Sequence, residues 1–380
     1  MKSLIKSFFD LIKFYKIQPE NRKIVFYTEN DVFYPFFSGL IDCLINKFDQ
    51  KIYYVTSSIS DPILSQKNTK IKSFFIGNES IRTIFFKLFN SSIMILTMPD
   101  LNTFHIKRSP YKVNYIYMAH NIFSLHMVFR KKAFNHYDTF FCVGPHHNKE
   151  IEETEKIYKL KKITTFNFGY NKIDQLLNNN KFTKTNYNAE KILVIAPSWG
   201  KNCIIEKIGE KLLSLLINSD WKIIIRPHPD TLRLFKKKYM QLKNKFINHP
   251  NCIFEENISN MKSFYESSIM ISDWSGAAFE FAFGLEKPVI FIDMPKKINN
   301  SDFNLYINEP IEISLRKKIG ELITINKLED IVNILNKVFK NKDTYKKRII
   351  LERKQTIYNV SKSASKGAEY IFNLIKSNDK

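Results

Sequence analysis

The chain has little glycine, little cysteine and a deficit of acid. Ten glycines are spread over 380 residues. Neither G-x-G-x-x-G nor G-x-x-x-x-G-K-[ST] occurs, so a dinucleotide oxidoreductase or a P-loop ATPase finds no support. The four cysteines, Cys43, Cys142, Cys203 and Cys252, contain no C-x-x-C pair and no metal-ligand spacing. Three lie in or beside apolar runs, and the set reads as reduced, small core residues of a cytoplasmic protein. No stretch reaches the roughly 18 uncharged apolar residues of a membrane span. Asp10 and Lys13 interrupt the amino-terminal apolar run, so no signal peptide is expected and the protein should be soluble or peripheral. Against 37 acidic residues stand 59 Lys and Arg, a net charge of +22. Such an excess attracts nucleic acid, anionic lipid or anionic substrates. Part of it fits the codon bias of an AT-rich genome, because Lys, Ile, Asn and Phe are abundant together. Finger spacings, G-F-G-F-type sheet motifs and Arg-rich arms are all missing, which disfavours nucleic acid.

What is present is a repeated alternation of β-rich runs with helical stretches. Ile24–Thr28, Ile52–Thr56, Ile71–Ile76, Ile93–Thr97, Val113–Met118, Thr139–Val143 and Ile163–Phe168 have the rhythm of a parallel sheet. A second series follows at Ile192–Ala196, Lys222–Ile225, Cys252–Phe254, Ile269–Ile271 and Val289–Ile292. Between them Asn178 to Glu190 has no apolar period and reads as a linker. The spacing predicts two doubly wound, Rossmann-like α/β domains facing across a cleft: 1–177 on the acceptor side, a linker at 178–190, and 191–380 for a donor, ending in a helical tail. In residues 2–16, Leu4, Ile5, Phe8, Leu11, Ile12 and Tyr15 fall on one side of a helix, and Lys2, Lys6, Lys13 and Lys16 on the other. That pattern suits a membrane interface, and equally a helix packed on the first domain.

Three loops after buried strands carry the candidate chemistry. In Ile271 to Asp293 a strand leads through Ser272-Asp273-Trp274-Ser275-Gly276 into a helix expected over Ala277–Phe283 with Gly284 as its stop. The free N–H groups at such a helix start favour an anion. Ile223–Ile225 leads into Arg226-Pro227-His228-Pro229-Asp230, where two prolines stiffen the loop that presents His228. Arg226 suits a phosphate, and His228 either proton transfer or a phosphate. Ala196-Pro197-Ser198-Trp199-Gly200 is a small, hydroxyl-bearing loop after a third strand. His120 follows the buried run Val113 to Met118. The adjacent His146 and His147 read as a solvated loop rather than a metal site.

Taken in order, APSWG, RPHPD and SDWSGAAFEFAFGLEKPVIFID resemble the carboxyl half of the CDP-glycerol glycerophosphotransferase family, the teichoic acid primases and polymerases. The resemblance covers Ile192 to Asp293, and Phe168 to Asp174 is similar to the family's G-x-P-[RK]-x-D element. It implies a glycosyltransferase-B-like fold and metal-free, cofactor-free transfer of glycerol phosphate, or a related polyol phosphate, from a CDP-activated donor to a membrane-linked or polymeric surface-glycan acceptor. His228 and Arg226 would then meet the donor's phosphates, Ser275 and Gly276 would hold its pyrophosphate, and Asp273 would shape that loop. Ser198 would line the same side, and Glu280 would reach the ribose hydroxyls or else lie on a solvated helix face. The amino half departs from the pattern: where the family carries W-H-G-T followed by Lys, this chain has Tyr117-Met118-Ala119-His120-Asn121-Ile122. His120 keeps the position of the family's catalytic base, while Asn121 replaces the glycine. The partners implied are a nucleotide-activated donor, a lipid-linked or polymeric acceptor and an anionic membrane surface on the cytoplasmic side. The alternatives are a nucleotide-sugar glycosyltransferase of capsule or lipopolysaccharide assembly and a non-catalytic, membrane-docked scaffold.

Overall fold

The computed structural model describes residues 2–78, 80–104, 106–182, 190–257, 260–378. The chain divides into two compact units. The first comprises Met1–Lys172, Asn299–Asn308 and Ile357–Lys380, and the second Ile173–Ile298 and Glu309–Thr356.

The first unit is built on seven parallel strands: β1 Ile24–Thr28, β2 Ile52–Thr56, β3 Ile71–Phe75, β4 Ile93–Leu96, β5 Asn114–Met118, β6 Thr139–Cys142 and β7 Thr164–Asn167, in the order β3-β2-β1-β4-β5-β6-β7. The second carries six: β8 Ile192–Ile195, β9 Lys222–Ile225, β10 Cys252–Phe254, β11 Ile269–Ser272, β12 Val289–Ile292 and β13 Gly320–Ile323, in the order β10-β9-β8-β11-β12-β13. Both are doubly wound α/β sheets, as the alternation predicts. The central strands are continuous apolar runs because helices cover both faces, and β1, β4, β8, β11 and β12 are buried at every position. In each sheet the strand order reverses at one place, between β1 and β4 and between β8 and β11. In doubly wound sheets that switch point is where ligands bind, outside the carboxyl ends of the strands.

Four features differ from the sequence expectation. The strand β13 was not foreseen: it is a short edge pairing with β12 that begins at a glycine and exposes part of Glu321 and Leu322. The helix after β11 runs Gly276–Leu285, so Gly284 lies inside it and is no stop. A side chain there would meet Leu176, whose Cδ1 lies 2.6 Å from the position of an added Cβ. The left-handed cap falls instead on Glu286, at φ 60°, which is anchored by Arg353 at 2.8 Å.

The tail, expected with the donor domain, also divides between the units. Helices Ile331–Lys340 and Lys342–Thr356 stay with the second unit, whereas Ser363–Asn378 packs on the first. Ala368, Ile371 and Ile375 are buried there, and the tilted rings of Phe372 and Phe48 lie 4.8 Å apart. Apolar periodicity shows that such a helix must be covered and is silent on which unit covers it. Of the expected linker, 178–182 continue the helix Asn171–Phe182, and 183–189 lie outside the described residues. All four cysteines are free thiols, three of them buried. Among the described residues no helix is long and apolar enough to cross a membrane.

Candidate active site

In the second unit the loops after β8 and β11 meet at the switch point, tied together by side chains. Ser272 Oγ donates to the Ala196 carbonyl at 2.7 Å. Asp273 is 1% exposed, and its carboxylate accepts the N–H of Ser198 at 2.6 Å and that of Ile204 at 3.0 Å. Burial pushes the Asp273 carboxyl up, and these backbone donors pull it back. Asp273 therefore organises residues 198–204, the loop beside the one it was expected to shape.

Ser275 then caps the helix Gly276–Leu285 from an extended backbone, at φ −110° and ψ 132°, with its hydroxyl making no capping bond. The first N–H groups of any helix have no intrahelical partner and carry the positive end of its dipole. At Gly276, apart from its chain neighbours and the backbone of its own helix, no protein atom lies within 4 Å of where a Cβ would stand. Backbone donors, a hydroxyl and open space coincide at this point.

His228 enters from the neighbouring strand β9 as the N-cap of helix Pro229–Leu234, with its Nδ1 accepting the Asp230 N–H at 3.1 Å. A ring nitrogen that accepts carries no proton, so in the neutral imidazole the proton sits on Nε2. Burial lowers the His228 pKa to about 4; Asp230 opposes this, and Lys297 adds to it. At neutral pH His228 thus presents an Nε2–H donor and is no base at that nitrogen.

Two residues that sequence reasoning missed complete this end of the sheet. Lys297 Nζ lies 3.6 Å from the centre of the Trp199 ring and donates to the Trp199 carbonyl at 3.2 Å. Burial lowers its pKa, while Asp273 and Asp230 raise it. The Trp199 ring stands 6.1 Å from that of His228. The basic Lys296-Lys297 pair, just past the end of β12, was the available signal. Arg316 stacks 3.7 Å above the Trp274 ring and binds Asp293 through Nη2 at 3.0 Å; no motif announces it.

The remaining candidate residues, Arg226, Glu280 and Ser198, are buried. Arg226 is turned inward: Nη1 donates to Glu255 at 2.8 Å and to the Asn260 carbonyl at 2.5 Å, and the guanidinium lies 4.9 Å from the Phe264 ring centre. A cation held in this way ties Glu255 to Asn260 and Ser263 behind the site. Glu280 is 8% exposed, on a helix buried from Ala278 to Leu285, so it does not lie on a solvated face. Ser198 is buried, its main chain held by Asp273. Lys287, the lysine of KPVIFID, donates to the carbonyls of Tyr265 at 2.6 Å and Ser267 at 2.7 Å, and burial lowers its pKa to about 8. Among the described residues no cluster of three His, Cys, Asp or Glu could hold a metal.

In the first unit His120 stands just past the end of β5, beside β4. Its part-buried ring is surrounded edge-on by Phe33 at 5.2 Å, Phe129 at 5.9 Å and Phe36 at 6.2 Å, and Nδ1 lies 3.3 Å from the Tyr117 hydroxyl. Burial lowers its pKa to about 4, the Thr97 main chain pulls it up and Lys172 pushes it further down. The imidazole is therefore neutral at pH 7. His146 and His147 are not in a solvated loop. They form the first turn of helix Pro145–Tyr158, with His147 fully buried. Pro145 at the first helical position was the overlooked signal.

Two doubly wound parallel sheets, each with functional loops at its carboxyl edge, define the glycosyltransferase-B class, and solved structures of low identity share this fold. A variant of the wall teichoic acid polymerase TagF soaked with CDPG is 13% identical, with TM-score 0.57, covering 100% of this chain and 94% of that one. A UDP-N-acetylglucosamine 2-epimerase from Listeria monocytogenes, described as putative, is 13% identical, with TM-score 0.59, covering 94% and 96%. A glycosyltransferase from Rickettsia africae is 13% identical, with TM-score 0.53, covering 93% and 99%. No curated protein matches the sequence. Residues 117–375 match the CDP-glycerol:poly(glycerophosphate) glycerophosphotransferase family. The chain belongs to that family and is a transferase of the CDP-glycerol glycerophosphotransferase type.

Proposed function

We propose that the protein moves glycerol phosphate, or a related polyol phosphate, from a CDP-activated donor to a hydroxyl of a surface-glycan acceptor and releases CMP. The observation that carries this reading is the open helix start at Ser275-Gly276, with the His228 Nε2–H and Lys297 about the Trp199 loop at the same edge of the sheet, in a chain of this family. Backbone donors, one neutral donor and one cation suit a diphosphate whose charge grows on the leaving CMP as the bond breaks.

In the proposed reaction His120 takes the proton of the acceptor hydroxyl. The oxygen attacks the β-phosphorus, a new P–O bond forms, and the bond to the CMP oxygen breaks. A base of pKa about 4 is always free to accept a proton at pH 7 and is weak in the ground state. It serves a transition state in which the phosphoryl group is already loosened. Asp273 and Arg226 act behind the donor, on loop geometry, and Ser198 and Glu280 line its surroundings. Thermal stabilisation by CDP-glycerol, CDP-ribitol, CMP-sugars and UDP-sugars tests the donor: CDP-glycerol or CDP-ribitol should give the large shift. A UDP-sugar shift with none from the CDP-polyols would turn the reading to a nucleotide-sugar transferase.

The acceptor is proposed to be membrane-linked, on the strength of the first helix. Lys2–Tyr15 packs through Ser7, Asp10, Leu11 and Phe14, and leaves Leu4, Ile5, Phe8 and Phe9 each about half exposed. Ile84 and Leu88, on the helix Ser80–Leu88 that packs against it, are exposed as well. One face of Lys2–Tyr15 packs on the first unit, and the exposed apolar face, with Lys6, Lys13 and Lys16 beside it, supports the interfacial reading. Such a surface inserts into an anionic interface. Flotation with anionic liposomes should succeed, and should fail for Phe8→Glu/Phe9→Glu. Equal flotation of both forms would refute this surface as the anchor.

A further inference from the structure

The loop that carries His120 is fastened from beneath by side chains that the family motifs do not mark. After β5 the chain passes through Ala119 to Ser124 without regular structure, and most of its backbone faces inward: Ile122 is 1% and Phe123 6% exposed. Buried main-chain groups need partners, and here helix Pro145–Tyr158 supplies them. His146 Nε2 bonds the Ile122 carbonyl at 2.8 Å, and His147 Nε2 the Phe123 carbonyl at 2.9 Å. Glu150 Oε2 accepts the Leu125 N–H at 2.6 Å. From another side the Tyr170 hydroxyl donates to the His120 carbonyl at 2.9 Å.

The chemistry of His147 is defined by its second nitrogen. Nδ1 accepts the Val143 N–H at 3.2 Å, so the proton lies on Nε2 and points at Phe123. One ring thereby ties the end of β6 to the His120 loop. Glu150 lies in the same helix one turn further on and also meets His126 Nδ1 at 3.5 Å. Two carbonyls and one N–H within residues 122–125, just beyond His120, are thus held by side chains at i, i+1 and i+4 of one helix.

We propose that His147 and Glu150, with His146, are positioning residues for the base: they fix the backbone of 122–125 and through it the direction of the His120 ring. None of them need touch donor or acceptor. The inference rests on the reading of His120 as the base. It predicts that losing the platform slows turnover without weakening donor binding, which belongs to the second unit. A displacement of about 1 Å at a reacting group costs on the order of 100-fold in rate.

The test is a kinetic cycle on the full chain with CDP-glycerol and acceptor. His147→Ala and Glu150→Ala should each lower kcat by about 10- to 100-fold while the donor KM stays within about twofold. His147→Gln, whose amide can still donate to Phe123, should recover most of the loss and serves where the alanine variant does not fold. In a His120→Ala background, adding His147→Gln or Glu150→Ala should cost nothing further, because groups that act through one another are not additive. A crippled His120→Ala with wild-type kcat in the folded His147 and Glu150 variants would overturn the platform alone. Additive losses in the double variants would overturn it as well. Wild-type rates in His120→Ala would remove the base assignment and this inference with it.

Discussion

Replacing Asp273 tests whether the donor end of the second unit is organised by one buried carboxylate. Asp273 holds two backbone N–H groups, those of Ser198 and Ile204, at 2.6 and 3.0 Å. At 1% exposure no water is on hand to replace it. A hydrogen bond to a charged group contributes about 1.5–3 kcal/mol. Asp273→Ala removes two and orphans two buried donors, a loss of about 3–6 kcal/mol, which approaches the whole stability of many domains. Asp273→Asn is the tractable variant: its carbonyl keeps one bond while its amide faces the other N–H, for about 2–3 kcal/mol. All three tryptophans, Trp199, Trp221 and Trp274, lie in the second unit. Urea unfolding followed by their fluorescence reports that unit. The expected result is a lower midpoint with the slope unchanged, together with weaker stabilisation by CDP-glycerol. An Asn variant within about 0.5 kcal/mol of wild type, with full donor response, would refute the role given to this carboxylate.

Three further outcomes follow from the same geometry. Gly276→Ala should leave stability unchanged or raise it by up to about 1 kcal/mol, since a Cβ there meets nothing, yet weaken the donor-induced thermal shift. Lys287→Met should cost about 2–4 kcal/mol by urea unfolding, because it strips the cation from buried carbonyls. The His120 pKa near 4 lies below the ordinary 6.5, so its contribution to stability is complete above pH 6.5 and is lost as pH falls toward 4. Wild type should therefore lose up to about 3 kcal/mol more than His120→Ala between pH 7 and 4 in chemical unfolding. Identical pH dependence in both would contradict the burial argument.

Much of this was legible in the sequence where a local rule was strong. β-rich runs located twelve of the strands, most plainly the central ones, because a strand covered on both faces has little freedom of composition. Polar loops directly after those runs located His120, His228, Asp273 and Ser275, because loops at the carboxyl edge of a parallel sheet are where ligands bind. What escaped depends on contacts distant in sequence. Arg226 has the residue type of a phosphate contact, and only the positions of Glu255 and Asn260 reveal it as a brace. Lys297 joins Trp199 and Arg316 joins Trp274 across the fold, with no fixed spacing to announce them. The short edge strand β13 and the return of helix Ser363–Asn378 to the first unit were hidden for the same reason: each is decided by the surface that receives it.

The central claim is the transfer of a polyol phosphate from a CDP-linked donor by way of His120. Its most direct test is CMP release from CDP-glycerol, measured together with incorporation of labelled glycerol into a membrane-derived or polymeric acceptor. The wild-type protein should release one CMP for each glycerol incorporated, and His120→Ala and His228→Ala should each lower both by about 100-fold or more. An inert CDP-glycerol alongside a turned-over UDP-sugar, or undiminished transfer by His120→Ala, would contradict the account.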